Sequence, residues 1–386
     1  MNALWSSREP VSDEHCGSRR ARAGSRPPRV LFYTAPAALQ NPGGGEVQLL
    51  KTAEALRELG VNVRLFDPRT DRLESADWLH LFGTLPECLA MARQARSAGV
   101  RVALSTISWY DPRAIWQLEP TLPRKLRGVA GWSARRICSR IPSWRRELVH
   151  RVDRLLPNSQ AEARQLMDLF GVNAAKITVV PNGVDARFGH SDALLFHERF
   201  RVRDFVLVPG RIEPRKNQLT VLRALWGSGM PVVVLGDPHP DHMNYFDRCR
   251  EAADSGTVFL PRIAHDSPLL ASAYRAARVV LLASWFETPS LAALEGGLAG
   301  TRVVVTRRGC AEEYFGDSAQ YVDPHGPAGI RVAVRAAFVQ PAASGLRERI
   351  ASDFLWSHVA RRTLAAYGGV GTRHDFKQSI ALAKAA

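Results

Sequence analysis

The sequence predicts an α/β protein of two Rossmann-like lobes, whose parallel sheets face each other across a cleft. Three observations predict it. The 386 residues exceed one ordinary hydrophobic core and suit two domains. Short apolar runs alternate with helix-like segments in both halves of the chain. A turn-rich segment at residues 181–185 separates the two halves.

The chain divides into four expected parts. Residues 1–28 contain five arginines with Gly and Pro nearby, a composition that predicts a disordered basic arm. Residues 29–185 are expected to form the first lobe and residues 186–352 the second. Residues 371–386 are expected to be a tail.

The predicted strands are apolar runs of four to six residues, which are typical of buried parallel strands. In the first half they span residues 29–33, 61–66, 78–82 and 100–105, and in the second half residues 205–208, 231–235, 257–260, 279–283 and 302–306. Helical spacing predicts helices over residues 46–59, 87–97 and 160–170. The first of these helices follows a glycine loop, Gly43 to Gly45.

Composition favours a cytoplasmic protein. No apolar run reaches the roughly 18–20 residues of a membrane-spanning helix, and the first residues lack the apolar stretch of a signal peptide. The five cysteines are odd in number and scattered without a CxxC motif. That usage favours free thiols in a reducing compartment and argues against a zinc site.

The net charge of +15 predicts attraction to polyanions. Residues 121–154 hold ten of the basic side chains against two acidic ones, with Trp132, Ile137, Ile141 and Trp144 between them. This segment has two readings that the sequence leaves open. It is either a solvated helical face, or a patch that meets an anionic membrane or a lipid-phosphate acceptor.

The first candidate site follows the strand at residues 205–208. Gly210 and Arg211 come directly after it, and Lys216 precedes the next helix. Arg211 offers a planar fork of donors and Lys216 a mobile point charge, so together they predict an anion site.

The second candidate site follows the strand at residues 279–283. Thr288 is predicted as the N-cap of a helix and Pro289 as its first residue. The next amides, of Ser290 and Leu291, would then bind a phosphate with help from the helix dipole. Glu287 lies just outside that helix, and Glu295, about two turns inside, could bind a sugar diol. Read alone, either glutamate could equally be an exposed helix residue.

In order along the chain, these motifs resemble glycosyltransferase family 4 (GT4), whose members are retaining enzymes with the GT-B fold. The resemblance rests on Glu287-x7-Glu295, on Gly210-Arg211 with Lys216, and on residues 181–185, and it extends over about residues 29–367. It implies that residues 353–370 form a closing helix that crosses back to the first lobe.

The resemblance also implies residue roles. Arg211 and Lys216 would neutralise the donor diphosphate, Glu287 would contact the donor sugar and Glu295 the nucleotide ribose. With Gly210, Thr288, Pro289, Ser290 and Leu291 they form the expected donor site, and Arg211, Lys216 and Glu287 are the expected catalytic residues. Gly43, Gly44 and Gly45 match the first-lobe loop where the backbone approaches donor and acceptor.

The sequence departs from the family pattern in two places. Glu287-Thr288-Pro289-Ser290 stands where many members have Glu-Gly-Phe-Gly, so the sugar pocket is expected to differ. The family's histidine near residue 105 is missing, and His80, on an earlier strand, is expected to be structural. Tyr110 or Asp111 is the candidate for acceptor binding.

The expected function is transfer of a sugar from a UDP- or GDP-linked donor to a lipid-linked or polysaccharide precursor of the cell envelope, as in exopolysaccharide or lipopolysaccharide assembly. The expected location is the cytoplasm, with peripheral contact to the inner face of the plasma membrane through residues 121–154. No metal or other cofactor is expected, since no Asp-x-Asp motif occurs.

Two alternatives stay open. A nucleotide-sugar epimerase would share the fold and the phosphate site. A nucleic-acid-binding protein would fit the sequence pI of about 10.3, although no nucleic-acid motif accompanies the charge. A dinucleotide oxidoreductase is disfavoured because Gly43-Gly44-Gly45 lacks the GxGxxG spacing.

Overall fold

The structure is a computed structural model that describes residues 28–40, 43–340 and 344–368. The predicted basic arm, apart from Pro28, and the predicted tail over residues 371–386 lie outside the described residues.

The first lobe is a five-stranded parallel sheet in the order β2-β1-β3-β4-β5. Its strands are β1 (Arg29–Tyr33), β2 (Asn62–Leu65), β3 (Trp78–Phe82), β4 (Arg101–Ser105) and β5 (Arg154–Leu155). Its helices are α1 (Gly44–Glu58), α2 (Pro86–Ser97), α3 (Pro112–Leu118), α4 (Leu122–Ile137), α5 (Trp144–Arg151) and α6 (Gln160–Phe170). Every residue of β3 is buried, as expected for a central strand covered on both faces. The basic segment at residues 121–154 forms α4 and α5.

The second lobe is a six-stranded parallel sheet in the order β11-β10-β9-β6-β7-β8. Its strands are β6 (Val206–Pro209), β7 (Val232–Leu235), β8 (Thr257–Leu260), β9 (Val279–Leu282), β10 (Arg302–Thr306) and β11 (Gln320–Val322). Its helices are α7 (Leu194–Phe200), α8 (Gln218–Leu225), α9 (Met243–Glu251), α10 (Pro268–Ala276), α11 (Leu291–Leu298), α12 (Ala311–Phe315), α13 (Pro327–Val339) and α14 (Ser344–Asp353). The sequence patterns did not predict β11, a three-residue edge strand.

Both sheets reverse their strand order beside their first strand. In the first lobe β1 lies between β2 and β3, and in the second lobe β6 lies between β7 and β9. Helices on either side of such a reversal leave a crevice at the carboxyl ends of the strands, where ligands of α/β proteins bind. The loops after β1, β6 and β9 are the ones that carry the predicted donor residues.

The last helix of the described residues, α15 (Trp356–Ala366), returns to the first lobe and packs along α1, as the family resemblance implied. Its Trp356 packs against the linker so closely that a Cβ on Gly183 would lie 2.5 Å from the indole ring, so this position requires glycine.

His80 of β3 lies between the end of this last segment and β4. The Tyr367 hydroxyl lies 2.5 Å from Nδ1 of His80, whose Nε2 lies 3.0 Å from the Ser105 hydroxyl. His80 is buried in these contacts, in agreement with its expected structural role.

Candidate active site

A cavity of about 500 Å³ opens between the two lobes at the carboxyl ends of β1, β6 and β9. Both the predicted donor residues and the first-lobe glycine loop line it. These residues are Gly43, Gly44, Gly45, Gly210, Arg211, Lys216, Glu287, Thr288, Pro289, Ser290, Leu291 and Glu295. The fold therefore brings together side chains and amides that lie up to about 250 residues apart in the sequence.

Lys216 and Glu287 form an ion pair in this cavity, in which the carboxylate is buried and the lysine side chain is 14 % exposed. The lysine Nζ lies 2.7 Å from Oε1 of Glu287, and the Ser284 hydroxyl donates to the same oxygen at 2.6 Å. Burial lowers the pKa of Lys216, although the carboxylate of Glu287 opposes the shift. Burial raises the pKa of Glu287, but the charges of Lys216 and Arg215 outweigh it, so that pKa lies below its ordinary value. The pair is therefore a fixed source of charge in a site of low dielectric.

The turn that presents Lys216 is fixed by Asn217. This residue adopts the left-handed conformation (φ 59°), and its buried side-chain amide donates to the carbonyls of Ala283 at 3.0 Å and Pro324 at 2.9 Å. Asn tolerates this conformation better than most side chains. Asn217 thus anchors the turn that carries the lysine to the end of the strand that leads to Glu287.

The glycine loop of the first lobe approaches the donor residues closely. A Cβ on Gly43 would lie 3.3 Å from Nη2 of Arg211, and one on Gly44 would lie 3.8 Å from the Leu291 side chain. The Gly43 N–H donates to Oε2 of Glu46 at 2.7 Å, which fixes the start of α1. Larger side chains at these two positions would reduce the gap across which a ligand would bind.

The predicted start of the helix after β9 was wrong by two residues. The helix begins at Leu291 with Ser290 as N-cap, whereas Thr288 and Pro289 precede it. The reason is a bridge to the next loop, in which the Glu287 N–H donates to the Arg308 carbonyl and its own carbonyl accepts from Cys310. This bridge holds the chain extended after Glu287, and it places Glu295 about one turn into α11 instead of two.

The two glutamates are not exposed helix residues, which was their alternative reading. Glu287 is 4 % and Glu295 5 % exposed. Oε1 of Glu295 lies 2.9 Å from Nε2 of His265, a residue of the loop after β8 that also lines the cavity. The sequence patterns did not single out His265, because it belongs to no recognisable motif and pairs with Glu295 only in the folded lobe.

The proposed acceptor residues lie outside this cavity. Asp111 is the N-cap of α3, where it accepts from the amides of Arg113 at 2.8 Å and Ala114 at 3.4 Å, and it lies 3.9 Å from Arg308 of the second lobe. Tyr110 lines a second cavity, of about 330 Å³, that shares Gly45 and Ile107 with the first. Only Tyr110 of the two therefore borders a space that could hold an acceptor.

Two further features bear on the sequence expectations. No group of three or more His, Cys, Asp or Glu side chains within the described ranges could hold a metal ion, and the metal-independent chemistry stays a prediction. In the same ranges, no helix is long and apolar enough to cross a bilayer.

Comparisons with known proteins find one family model and several curated relatives. Residues 74–188 match the model of Glycosyltransferase Family 4. The D-inositol 3-phosphate glycosyltransferase of Acidothermus cellulolyticus is 34 % identical over 202 residues, which cover 47 % of this chain and 45 % of that protein. The protein of the same name from Stackebrandtia nassauensis is 26 % identical over 426 aligned positions, covering 90 % of this chain and 92 % of the relative. The chain spans about half the length of the first curated relatives that it matches.

A solved structure shows the same fold. Alr3699/HepE from Anabaena, in complex with UDP and glucose, superposes with a TM-score of 0.68 at 16 % identity, covering 89 % of this chain and 100 % of that one. The chain therefore has the GT-B fold along most of its length, and its residues 74–188 match the model of Glycosyltransferase Family 4.

Proposed function

We propose that this protein is a retaining glycosyltransferase that moves a sugar from a nucleotide diphosphate sugar to an acceptor hydroxyl. One observation carries the proposal: the predicted diphosphate, ribose and sugar residues all line one interlobe cavity of about 500 Å³. Cavities of this size are typical of small-molecule sites. The names of the curated relatives support the same reaction class.

The chemistry follows from where charge develops. When the bond between the anomeric carbon and the diphosphate oxygen breaks, negative charge grows on the leaving diphosphate. Arg211 and Lys216 oppose that charge, and the first amides of α11 lack partners within their helix and point towards its N-terminal side. Such preorganised donors stabilise the transition state more than the bound substrate.

The donor is proposed to be a UDP- or GDP-linked sugar. Glu295, held by His265, would accept hydrogen bonds from the two ribose hydroxyls, and Glu287 would contact the hydroxyls of the sugar. Support for uridine comes from the fold relative in Anabaena, which was solved with UDP and glucose. Thr288 and Pro289, where many family members have Gly-Phe, would shape the sugar pocket.

The acceptor is proposed to be a lipid-linked or polysaccharide precursor of the cell envelope, reached from the cytoplasmic face of the membrane. Helix α4 supports this. No residue of that helix, which is described in full, is buried. Leu122 and Leu126 in its first turns and Ile137 at its end expose apolar side chains among Arg124, Arg127 and Arg136. An apolar stripe with flanking arginines is typical of helices that lie in a membrane surface.

The test is incubation of the full chain with UDP- and GDP-sugars, with and without lipid extracts that contain phosphorylated polyprenol and inositol lipids. Release of UDP or GDP that depends on the acceptor, with the anomeric configuration kept in the NMR spectrum of the product, supports the proposal. Conversion of the donor sugar without acceptor would favour the epimerase. Absence of binding to every nucleotide sugar in calorimetry would contradict both.

A further inference from the structure

Ile107, in the loop after β4, has a backbone conformation that its side chain disfavours. Its φ is 45°, in the left-handed region, where the Cβ crowds the following carbonyl oxygen. The other non-glycine residues with positive φ in the described parts of the chain are Arg201, Asp204 and Asn217, so Ile107 is the one β-branched residue of this set. For a branched side chain this conformation is an outlier, and such outliers cluster at functional sites.

A buried carboxylate holds the backbone on both sides of Ile107. Oε1 of Glu162 accepts from the Thr106 hydroxyl at 2.5 Å and from the Ser108 N–H at 2.8 Å. Its Oε2 accepts from the Asn158 N–H at 2.7 Å. Burial raises the pKa of Glu162, although these hydrogen bonds act in the opposite direction. Strain persists where the surroundings over-determine a conformation, and Glu162, which lines neither cavity, supplies that constraint.

The side chain of Ile107 lies where the donor cavity meets the second cavity. Together with Gly45 it lines both, and its Cδ1 would lie 3.6 Å from a Cβ on that glycine. The neighbouring Gly44 faces Leu291 of the second lobe, whose Cδ1 would lie 3.8 Å from a Cβ there. Ile107 and Leu291 both pack against the hydrophobic core of the first lobe. These four residues form an apolar seam along one side of the donor cavity.

The apolar seam borders the end of the cavity where the diphosphate is proposed to bind. The amide of Leu291 is a proposed donor to the diphosphate, and the anomeric carbon of the transferred sugar is bonded directly to that group. A water molecule that came from the second cavity would pass Gly45 and Ile107, the residues that line both. An apolar side chain offers such a water no hydrogen bond, and exclusion of water from a closed site prevents hydrolysis of the substrate.

We propose that Ile107 decides whether the sugar passes to an acceptor hydroxyl or to water, and that Glu162 is the positioning residue that holds it at the seam. The inference rests on the proposed function and concerns its side reaction. In that reaction a water oxygen bonds to the anomeric carbon, while the bond to the diphosphate oxygen breaks and leaves its electron pair on the diphosphate. The water proton passes to solvent, and the products are the free sugar and the nucleotide diphosphate.

The experiment measures release of UDP from UDP-glucose by the full chain without an acceptor, with release of GDP from GDP-mannose measured in parallel. Ile107→Ala is expected to release nucleotide about tenfold faster than wild type or more, because water then reaches the anomeric carbon. Ile107→Val keeps a branched apolar side chain and is expected to stay near the wild-type rate. The matched control is Ile177→Ala, which removes another half-buried isoleucine of the first lobe that lines neither cavity. It is expected to release nucleotide as wild type does.

A second measurement tests the strain. Ile107→Ala and Ile107→Gly both remove the branched side chain, but only glycine adopts this positive φ without steric conflict. The glycine variant is therefore expected to have the higher urea midpoint of the two. At Ile177, where φ is −97°, the order should reverse, because glycine there only adds freedom to the unfolded chain.

Glu162→Gln tests the constraint on the turn. The glutamine amide places N–H donors where the carboxylate accepts only, so this variant is expected to release nucleotide faster, as Ile107→Ala does. Circular dichroism checks its fold, and if it does not fold, the variants at position 107 decide.

Two results would overturn the inference: nucleotide release by Ile107→Ala at the wild-type rate, or a higher urea midpoint for alanine than for glycine at position 107. Calorimetry with UDP and GDP on the same samples separates this failure from that of the proposed function. Binding of a nucleotide with unchanged release contradicts the inference alone. Absence of binding to both nucleotides contradicts the proposed function, and the inference with it.

Discussion

The ammonium group of Lys216 and the carboxylate of Glu287 lie 2.7 Å apart, although 71 residues separate them in the chain. Each charge is largely removed from solvent with the other as its main compensation, and the Ser284 hydroxyl donates a further hydrogen bond to Glu287. A pair in this position contributes little net stability, because the cost of desolvation offsets the attraction. Its position in the cavity wall supports the proposed role in donor binding.

Replacement of Lys216 by Met should lower both activity and stability. The free energy of unfolding should fall by about 3–5 kcal/mol, because Glu287 would be left buried without its counter-charge. The double variant Lys216→Met with Glu287→Gln should recover much of that stability in chemical denaturation and none of the transfer rate. Equal transfer rates in wild type and the single variant would remove Lys216 from the diphosphate site.

Replacement of Glu295 by Gln should remove discrimination at the ribose. Wild type should bind UDP about 10- to 100-fold more tightly than 2′,3′-dideoxy-UDP, the effect of charge-assisted hydrogen bonds, and the variant should bind the two alike. Calorimetry measures both affinities, and Glu198→Gln, an exposed change on α7, is the control. A variant that still prefers UDP by the wild-type factor would show that Glu295 does not contact the ribose.

Replacement of Leu126 and Ile137 by Gln should weaken binding to anionic vesicles. Ile137 is 88 % exposed and Leu126 more than half exposed, so the change should leave the fold intact. Co-sedimentation with phosphatidylglycerol vesicles measures this binding, and the matched control is Leu194→Gln with Leu195→Gln, which changes two exposed leucines of the second lobe.

Replacement of two arginines of α4 tests the contribution of charge. Arg124→Gln with Arg127→Gln should weaken vesicle binding by about 1 kcal/mol per charge. Equal sedimentation of all variants would leave α4 as a solvated surface.

Because His80 is buried, the free energy of unfolding should decrease as the pH is lowered. Burial lowers the pKa of His80 to about 3, whereas the unfolded chain titrates near the ordinary value of 6.5. Below that value the unfolded state takes up a proton that the native state does not, so the free energy of unfolding should drop by about 1.4 kcal/mol per pH unit towards pH 3. Denaturation of wild type and His80→Gln between pH 7 and 4 measures this, and parallel curves would contradict it.

The sequence predicted the parts of the fold that depend on local pattern. The bounds of β3 and β10 were confirmed because each is a buried apolar run. Those of α6 were confirmed because Ser159 caps its start and Gly171, in the left-handed conformation, ends it. The local pattern could not predict that Glu287 and Glu295 are buried, since at either position it fitted a solvent-exposed glutamate of a helix equally well.

What the sequence could not predict depends on contacts between distant segments. The carboxylate of Glu313, in the second lobe, accepts from the amides of Gln160 and Ala161 at 2.7 Å each, so it caps a helix of the first lobe from more than 150 residues away. The shift of the α11 start has the same kind of cause, because the bridge from Glu287 to Gly309 forms only when two loops meet. Neither contact leaves a local signature.

The crossing of α15 to the first lobe sets an order of events during synthesis. The core of that lobe includes Trp356, Val359 and Tyr367, which leave the ribosome after the entire second lobe. At roughly 5–20 residues per second, the first lobe would wait about 10–40 s for its last helix after residue 181 is made. Throughout that interval the α1 surface that α15 covers is exposed, so nascent chains stalled before residue 356 should be targets for chaperones.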